Sequence, residues 1–318
     1  MRLNGFLLTL CLAASCLQSS KSFAQQDTAQ SCDVPVVVTG YDNQLVRERA
    51  PADFSVRLAD APKAVDSASI DGGPKRIALI LDASKNVPDG EWKLETEMAA
   101  SFVGHARSKD QFAFLVIGAE GTADSFLSFD DVAGRLQKMT SSRPAATEAN
   151  ERIYDSVLDA AHRLNPPQFG DAIFLFGHNQ DSGSAASADQ ILDLVVKNRM
   201  RFYGMSFADP LANKPLPKGS GRSKLESLSA ETGYFFSFHA AHNLNQPGQM
   251  TLFQGFLADL YAWIAEPYRL SFSSAAIRGQ TKLEVTVANL ETRRVHQDGI
   301  HYPHSLYPCV APAVEKAP

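Results

Sequence analysis

The chain reads as an α/β protein: a doubly wound, mostly parallel sheet flanked by a small β layer built from its two ends. Three observations predict this. Ile77 to Leu81 is an unbroken apolar run ending in Asp82, as a strand covered on both faces requires. From Lys75 to Pro267 such runs alternate with segments whose apolar residues recur at helical spacing, the signature of strand–helix–strand units. Outside that range the strands alternate polar and apolar, as half-buried antiparallel strands do.

Met1–Ala24 reads as a targeting segment. Arg2 precedes an apolar run, Phe6–Leu17, too short to span a membrane, and Ser22-Phe23-Ala24 forms a small-x-small cleavage site. Lipidation at Cys16 is the alternative, but Ala13-Ala14-Ser15 is a poor lipobox. The remaining chain is expected to be secreted or periplasmic, with no transmembrane segment. The full 318-residue sequence carries a formal net charge of −5; cleavage removes Arg2 and Lys21 and no acid, leaving −7, which argues against a nucleic-acid partner. Two cysteines remain, Cys32 and Cys309, one near each end. In an oxidising compartment such a pair is expected to form a disulfide, two separate thiols being the alternative.

Residues 25–74 form a strand-rich lead-in. Val34–Thr39 is a strand that Pro35 confines to an edge or a strand start. Asp53–Leu58 alternates polar and apolar, and Asp60-Ala61-Pro62-Lys63 is a turn. Residues 75–267 are the alternating core. After strand 76–82, Glu91–Ala106 places Trp92, Met98, Ala99, Phe102 and Val103 on one helical face. Gln111–Gly118 is a strand, Ser125–Phe129 a short edge strand, and Asp130 is expected to cap the next helix. A helix carrying Ile153, Tyr154, Val157, Leu158 and Ala161 ends before Pro166-Pro167. Strand 171–177, helix 187–198, strand 201–208, a short helix 224–231 and strand 233–238 follow. In the last helix, 251–266, Leu252, Phe256, Leu260, Trp263 and Ile264 are expected to be buried. Residues 268–309 carry two alternating strands, Tyr268–Ser273 and Lys282–Ala288, expected to join residues 32–74 in one β layer stapled by Cys32 and Cys309. Residues 310–318 are expected to be a disordered tail.

Asp82-Ala83-Ser84-Lys85-Asn86 resembles the D-x-S-x-S segment of the metal-ion-dependent adhesion site of von Willebrand factor A (VWA) domains. Ile153-Tyr154-Asp155-Ser156-Val157 is similar to the family's L-Y-D-A-L helix start, and Leu175–Ser184 to its L-L-S-D-G-E-D-N-G-S segment. Arg201–Ser206 and Thr232–Phe235 resemble its later strand and T-G-G-x-x-F motifs. Asp53-Phe54-Ser55-Val56 and the strand starting at Lys282 resemble the flanks of secreted bacterial VWA-related proteins.

The resemblance implies a sheet whose carboxyl edge binds a partner, in the family through magnesium held by an Asp, two Ser, a Thr and a second Asp. Here Asp82 and Ser84 stand at their positions, but Asn86 replaces the second serine, Glu151 the threonine and His178 the second aspartate. The site therefore reads as a degenerate adhesion site. The principal expectation is no cofactor, with Asp82, Ser84 and Asn86 hydrogen-bonding within the loop. The alternatives are a changed divalent-cation site of Asp82, Ser84, Glu151 and His178 suited to zinc or manganese, and retained magnesium. Lys214 and Lys218, in the loop after strand 201–208, could recruit an acidic partner to the same edge.

The function expected is a non-enzymatic binding module for another protein or a surface polymer. A metal-dependent enzyme using Asp82, Glu151 and His178 and a structural subunit of an envelope assembly are the alternatives. Ser84, His178 and Asp82 do not read as a hydrolytic triad, since no G-x-S-x-G turn is present. No strand–helix turn carries a Gly-rich dinucleotide fingerprint.

Overall fold

The computed structural model describes residues 31–40, 43–119, 122–123, 125–145, 151–177, 181–207, 221–232, 236–238, 248–273, 277, 279–288 and 299–309. The expected targeting segment, His178, Lys214, Lys218 and the tail lie outside these residues.

The chain begins with β1 (Ser31–Val38), β2 (Phe54–Leu58), β3 (Ala61–Lys63) and β4 (Val65–Ile70). It then builds the main sheet from β5 (Arg76–Asp82), β6 (Gln111–Ile117), β7 (Leu127–Ser128), β8 (Ala172–Gly177), β9 (Arg201–Ser206) and β10 (Phe236–Phe238). Between and after these lie α1 (Asp89–Val103), α2 (Phe129–Ser141), α3 (Ile153–Arg163), α4 (Ala188–Lys197), α5 (Gly221–Thr232) and α6 (Gln249–Ala265). The chain closes with β11 (Tyr268–Ser273), β12 (Thr281–Val287), β13 (Ile300–His301) and β14 (Ser305–Leu306).

The main sheet has the order β10-β9-β8-β5-β6-β7. All its pairings are parallel except that of β7 with β6. The first sheet strand therefore sits in the middle, and the chain winds outward from it in both directions. The switch point lies between β5 and β8, the place where doubly wound sheets open a crevice beyond their carboxyl ends.

Strand periodicity sorts the interior into two cores. Ile77, Leu79, Leu81, Phe112, Phe114, Phe174 and Phe176 pack under α1, α2 and α6. Their neighbours Ala78, Ile80, Ala113, Leu115, Ile173 and Leu175 pack under α3, α4 and α5. Successive side chains point to opposite faces of a strand, so an unbroken apolar run is what two covered faces demand.

The amino edge of the sheet is fastened by ions. Arg76 donates from Nε to Asp171 Oδ1 at 3.0 Å and from Nη2 to Asp171 Oδ2 at 2.5 Å and to the Leu164 and Pro166 carbonyls. Arg201, fully buried, donates to the carbonyls of Trp263 and Ile264 at the end of α6. Favourable charge placement at a helix C-terminus reinforces these bonds.

The two ends of the chain form two four-stranded antiparallel sheets rather than the single layer expected. Their orders are β13-β1-β11-β4 and β14-β12-β2-β3, and they share one core of Val34, Val36, Phe54, Val56, Tyr268, Leu270, Leu283 and Val285. One sheet cannot bury the alternating faces of both terminal segments, but two facing sheets can. Pro35 pairs with Arg269 of β11, and among the described residues β13 pairs with β1 at Val37 and Val38. Cys32 and Cys309 are bonded, with Cα atoms 5.5 Å apart.

Three local expectations change. Ala61–Lys63, expected to lie in a turn, is the strand β3, paired with β2 after a tight bend at Ala59 and Asp60. Ser128, not Asp130, caps α2, its hydroxyl accepting from Asp131 N at 3.3 Å while the Asp131 carboxylate reaches back. Leu252 is 70% exposed, not buried. The inward stripe of α6 runs through Phe253, Leu257, Leu260, Tyr261 and Ile264 instead. On a helix Leu252 stands about 100° from Phe253, which takes it off that stripe. Among the described residues no helix is long and apolar enough to cross a membrane.

Candidate functional site

The switch point is formed by the ends of β5 and β8. Asp82, the last residue of β5, is fully buried, and its Oδ1 accepts from Ser84 N at 3.0 Å. This is an Asx turn, in which the carboxylate bends the chain out of the strand. Ala83 N still donates to Ile117 O at 3.0 Å, which keeps the loop on β6 for one residue more. Ser84 is also fully buried, and Val87 N donates to its carbonyl at 3.1 Å. Lys85, Asn86 and the Pro88–Gly90 tip are exposed. The loop thus has a buried base and a polar, solvent-facing tip.

Two glycines make this packing available. A β-carbon on Gly177, the last residue of β8, would lie 2.7 Å from Asp82 Cβ. One on Gly118, whose φ is +72°, would lie 2.8 Å from Ser84 Cα. Real β-carbons do not approach so closely, and the positive φ also favours glycine.

Two charged residues that the sequence reading did not single out hold this turn, both from the α1–α2 side of the sheet. Glu95, on α1, is buried, and its Oε1 accepts from Asp82 N at 2.5 Å. Burial first, then the charge of Asp82, pushes the Glu95 carboxyl well above the usual glutamate range. Arg143, beyond α2, donates to the carbonyls of Val87 (2.7 Å), Ser84 (2.6 Å) and Ala83 (3.2 Å), and to Asp89 Oδ1 (3.0 Å). Glu95 had one legible signal: it falls between Trp92 and Met98 on the apolar face of α1. Arg143 had none, because only the tertiary fold brings it to the loop.

Glu151 is buried beside the switch point, just before α3. Its amide donates to Ser182 Oγ, and its carbonyl accepts from Ser182 N, both at 3.0 Å. Asp181 Oδ1 accepts from Tyr154 N at 3.1 Å, and the Asp155 carboxylate accepts from Ala185 N and Ala186 N. Asp155 and Asp181 therefore lace the loop after β8 to the start of α3. Burial and the neighbouring Asp181 raise the Tyr154 phenol to about 12.

The described residues supply only part of the cation set expected from the sequence, His178 lying outside them. Ser84 Oγ, buried and without a hydrogen-bond partner among the described residues, is an atom that a cation could take up. Asn86 is exposed, and among the described residues no three His, Cys, Asp or Glu side chains come together as a metal centre would need. Of the sequence-predicted residues, Asp82 and Ser84 form the buried base and Asn86 the tip. Glu151 stands at the neighbouring α3 entrance.

No family model and no curated protein matches the sequence. Solved structures with a similar chain path include a von Willebrand factor type A protein from Catenulispora acidiphila. Its identity is 9%, over 88% of this chain and 74% of that one, with a TM-score of 0.46. Human COPII-coat protein Sec24c has 9% identity over 73% of this chain and 43% of that one, with a TM-score of 0.45. Proximal thread matrix protein 1 from the mussel byssus has 16% identity over 65% and 50%, with a TM-score of 0.41. This chain thus spans half or less of those last two.

Proposed function

We propose that this chain is an exported binding module, without enzymatic activity, that engages another protein or a surface polymer through the carboxyl edge of its main sheet. Magnesium plays no part in that contact. The observation that carries this reading is the loop 83–90 at the switch point. Its base is buried and hydrogen-bonded, while Lys85, Asn86, Pro88, Asp89 and Gly90 at its tip face solvent. Conserving a fixed backbone under an exposed polar tip is what recognition of a partner asks of a loop. The Cys32–Cys309 bond accords with an oxidising compartment outside the cytoplasm.

A photo-crosslinking residue placed at Lys85 or Asn86 tests the reading against one placed at Lys63, on the exposed edge strand β3. With the mature chain in its own compartment, discrete adducts are expected from 85 and 86 and not from 63. Adducts from Lys63 alone would move the interface to the terminal β sheets.

The buried Ser84 hydroxyl favours one second reading, a changed cation site of Asp82, Ser84, Glu151 and His178. Elemental analysis of the purified protein separates the two, since a stoichiometric zinc or manganese would favour the metal site.

A further inference from the structure

We infer that Arg143 is the positioning residue of this site, a built-in cation that, together with Glu95, sets the conformation in which loop 83–90 is presented. The inference rests on the reading of that loop as the binding face.

The loop leaves β5 through a bend that exposes several backbone groups at once. Sheet pairing between β5 and β8 ends at Leu81 and Phe176, one residue short of Asp82, whose N–H donates to a side chain. Glu95 supplies the acceptor at 2.5 Å. Past Asp82 the chain leaves the sheet, and the carbonyls of Ala83, Ser84 and Val87 come within reach of the segment that follows α2. Arg143 meets all three within 3.2 Å and adds the Asp89 carboxylate at 3.0 Å. A planar guanidinium carries five donors in a fixed fork and can serve four acceptors at once, whereas a lysine ammonium has three donors on one atom.

The clamp is itself held in place. The guanidinium lies over the Trp92 ring at 5.6 Å, and Trp92 Nε1 donates to Met139 O at 3.2 Å, near the end of α2. Arg143 also acts on that acid, its charge lowering a Glu95 carboxyl that burial raises. The turn is therefore held through the Asp82 N–H by Glu95 and through the carbonyls of Ala83, Ser84 and Val87 by Arg143. In a VWA-like site an external ion would be expected to order these residues; here two side chains of the chain itself reach the backbone directly.

Amide hydrogen exchange of the full mature chain, read without any partner, tests this. Arg143→Gln should raise exchange of the amides in 83–90 by about tenfold, with β5, β6 and β8 still protected. Arg143→Lys should restore part of the protection and not all of it. Glu95→Gln keeps a carbonyl acceptor and should leave the loop as in the wild type, whereas Glu95→Ala should loosen it. Adding magnesium chloride in place of chelator should not change the wild-type loop. Wild-type exchange in Arg143→Gln, or a rise spread evenly over the chain, would overturn the inference. If that variant does not fold, Arg143→Lys decides: full protection with lysine would show that the fork is not needed. Because no partner is present, cross-linking that points elsewhere would remove the binding reading without touching this result.

Discussion

Gly177 and Asp82 face each other across the switch point so closely that a β-carbon on the glycine would stand 2.7 Å from Asp82 Cβ. The atom in its way is the first side-chain atom of a fully buried residue, which cannot swing aside. Gly177→Ala should therefore push β8 from β5 and lower stability by about 1–3 kcal/mol. Urea unfolding measures this directly. A variant as stable as the wild type would mean that the switch point widens without cost.

Glu95 predicts a pH dependence with a definite sign. Its carboxyl is raised in the folded state, by burial and then by Asp82, relative to the ordinary 4.5 it would have unfolded. The folded protein then holds a proton that the unfolded chain releases, and stability from this group is lost as pH rises above 4.5. Glu95→Gln removes that loss. Melting temperatures of both proteins from acid to neutral pH should diverge in favour of the glutamine variant as pH rises, and a constant difference would refute the assignment.

The ion pair at the amino edge should be intolerant of half-removal. Arg76 and Asp171 are both buried, so Asp171→Asn or Arg76→Ala strands a charge or its donors. A loss of about 3–5 kcal/mol is expected from breaking one partner of such a pair. Double substitution to apolar residues of similar volume should cost less than either single change, and denaturant midpoints for the three proteins would reveal it.

Magnesium should leave the protein unchanged. An ion present at one hundred times its dissociation constant would stabilise the fold by about 2.7 kcal/mol. Equal melting temperatures in millimolar magnesium and in chelator are therefore expected, and a rise of several degrees would contradict the metal-independent reading.

The disulfide closes almost the whole described chain, with a separation of 277 residues. The chain-entropy model puts its stabilisation at no more than about 5–6 kcal/mol. Reductant, or Cys309→Ser, should lower the unfolding midpoint, and the terminal sheets should open first because β1 carries Cys32. Loss of hydrogen-exchange protection in the main sheet before the terminal sheets would contradict that order.

Local pattern alone determined the doubly wound core, because a run such as Ile77–Leu81 has no exposed face to offer and helical stripes must cover it. It also determined that the ends are strands, and that Asp82 and Ser84 stand where β5 leaves the sheet. Periodicity could not decide how many layers those end strands form, since an alternating strand says only that one face is buried. Pairing β1 with β11 and β2 with β12 in two facing sheets is a property of register over more than 200 residues. Leu252 was misread for a related reason: several helical stripes fit an apolar sequence like α6, and the neighbours choose one. The grip on the loop was the least legible feature. Arg143 lies about 60 residues from the carbonyls of Ala83 and Ser84, and Gly177 nearly a hundred from Asp82. Hydrogen bonds and close approaches of this kind depend on where the fold carries each backbone atom, and no local pattern encodes that.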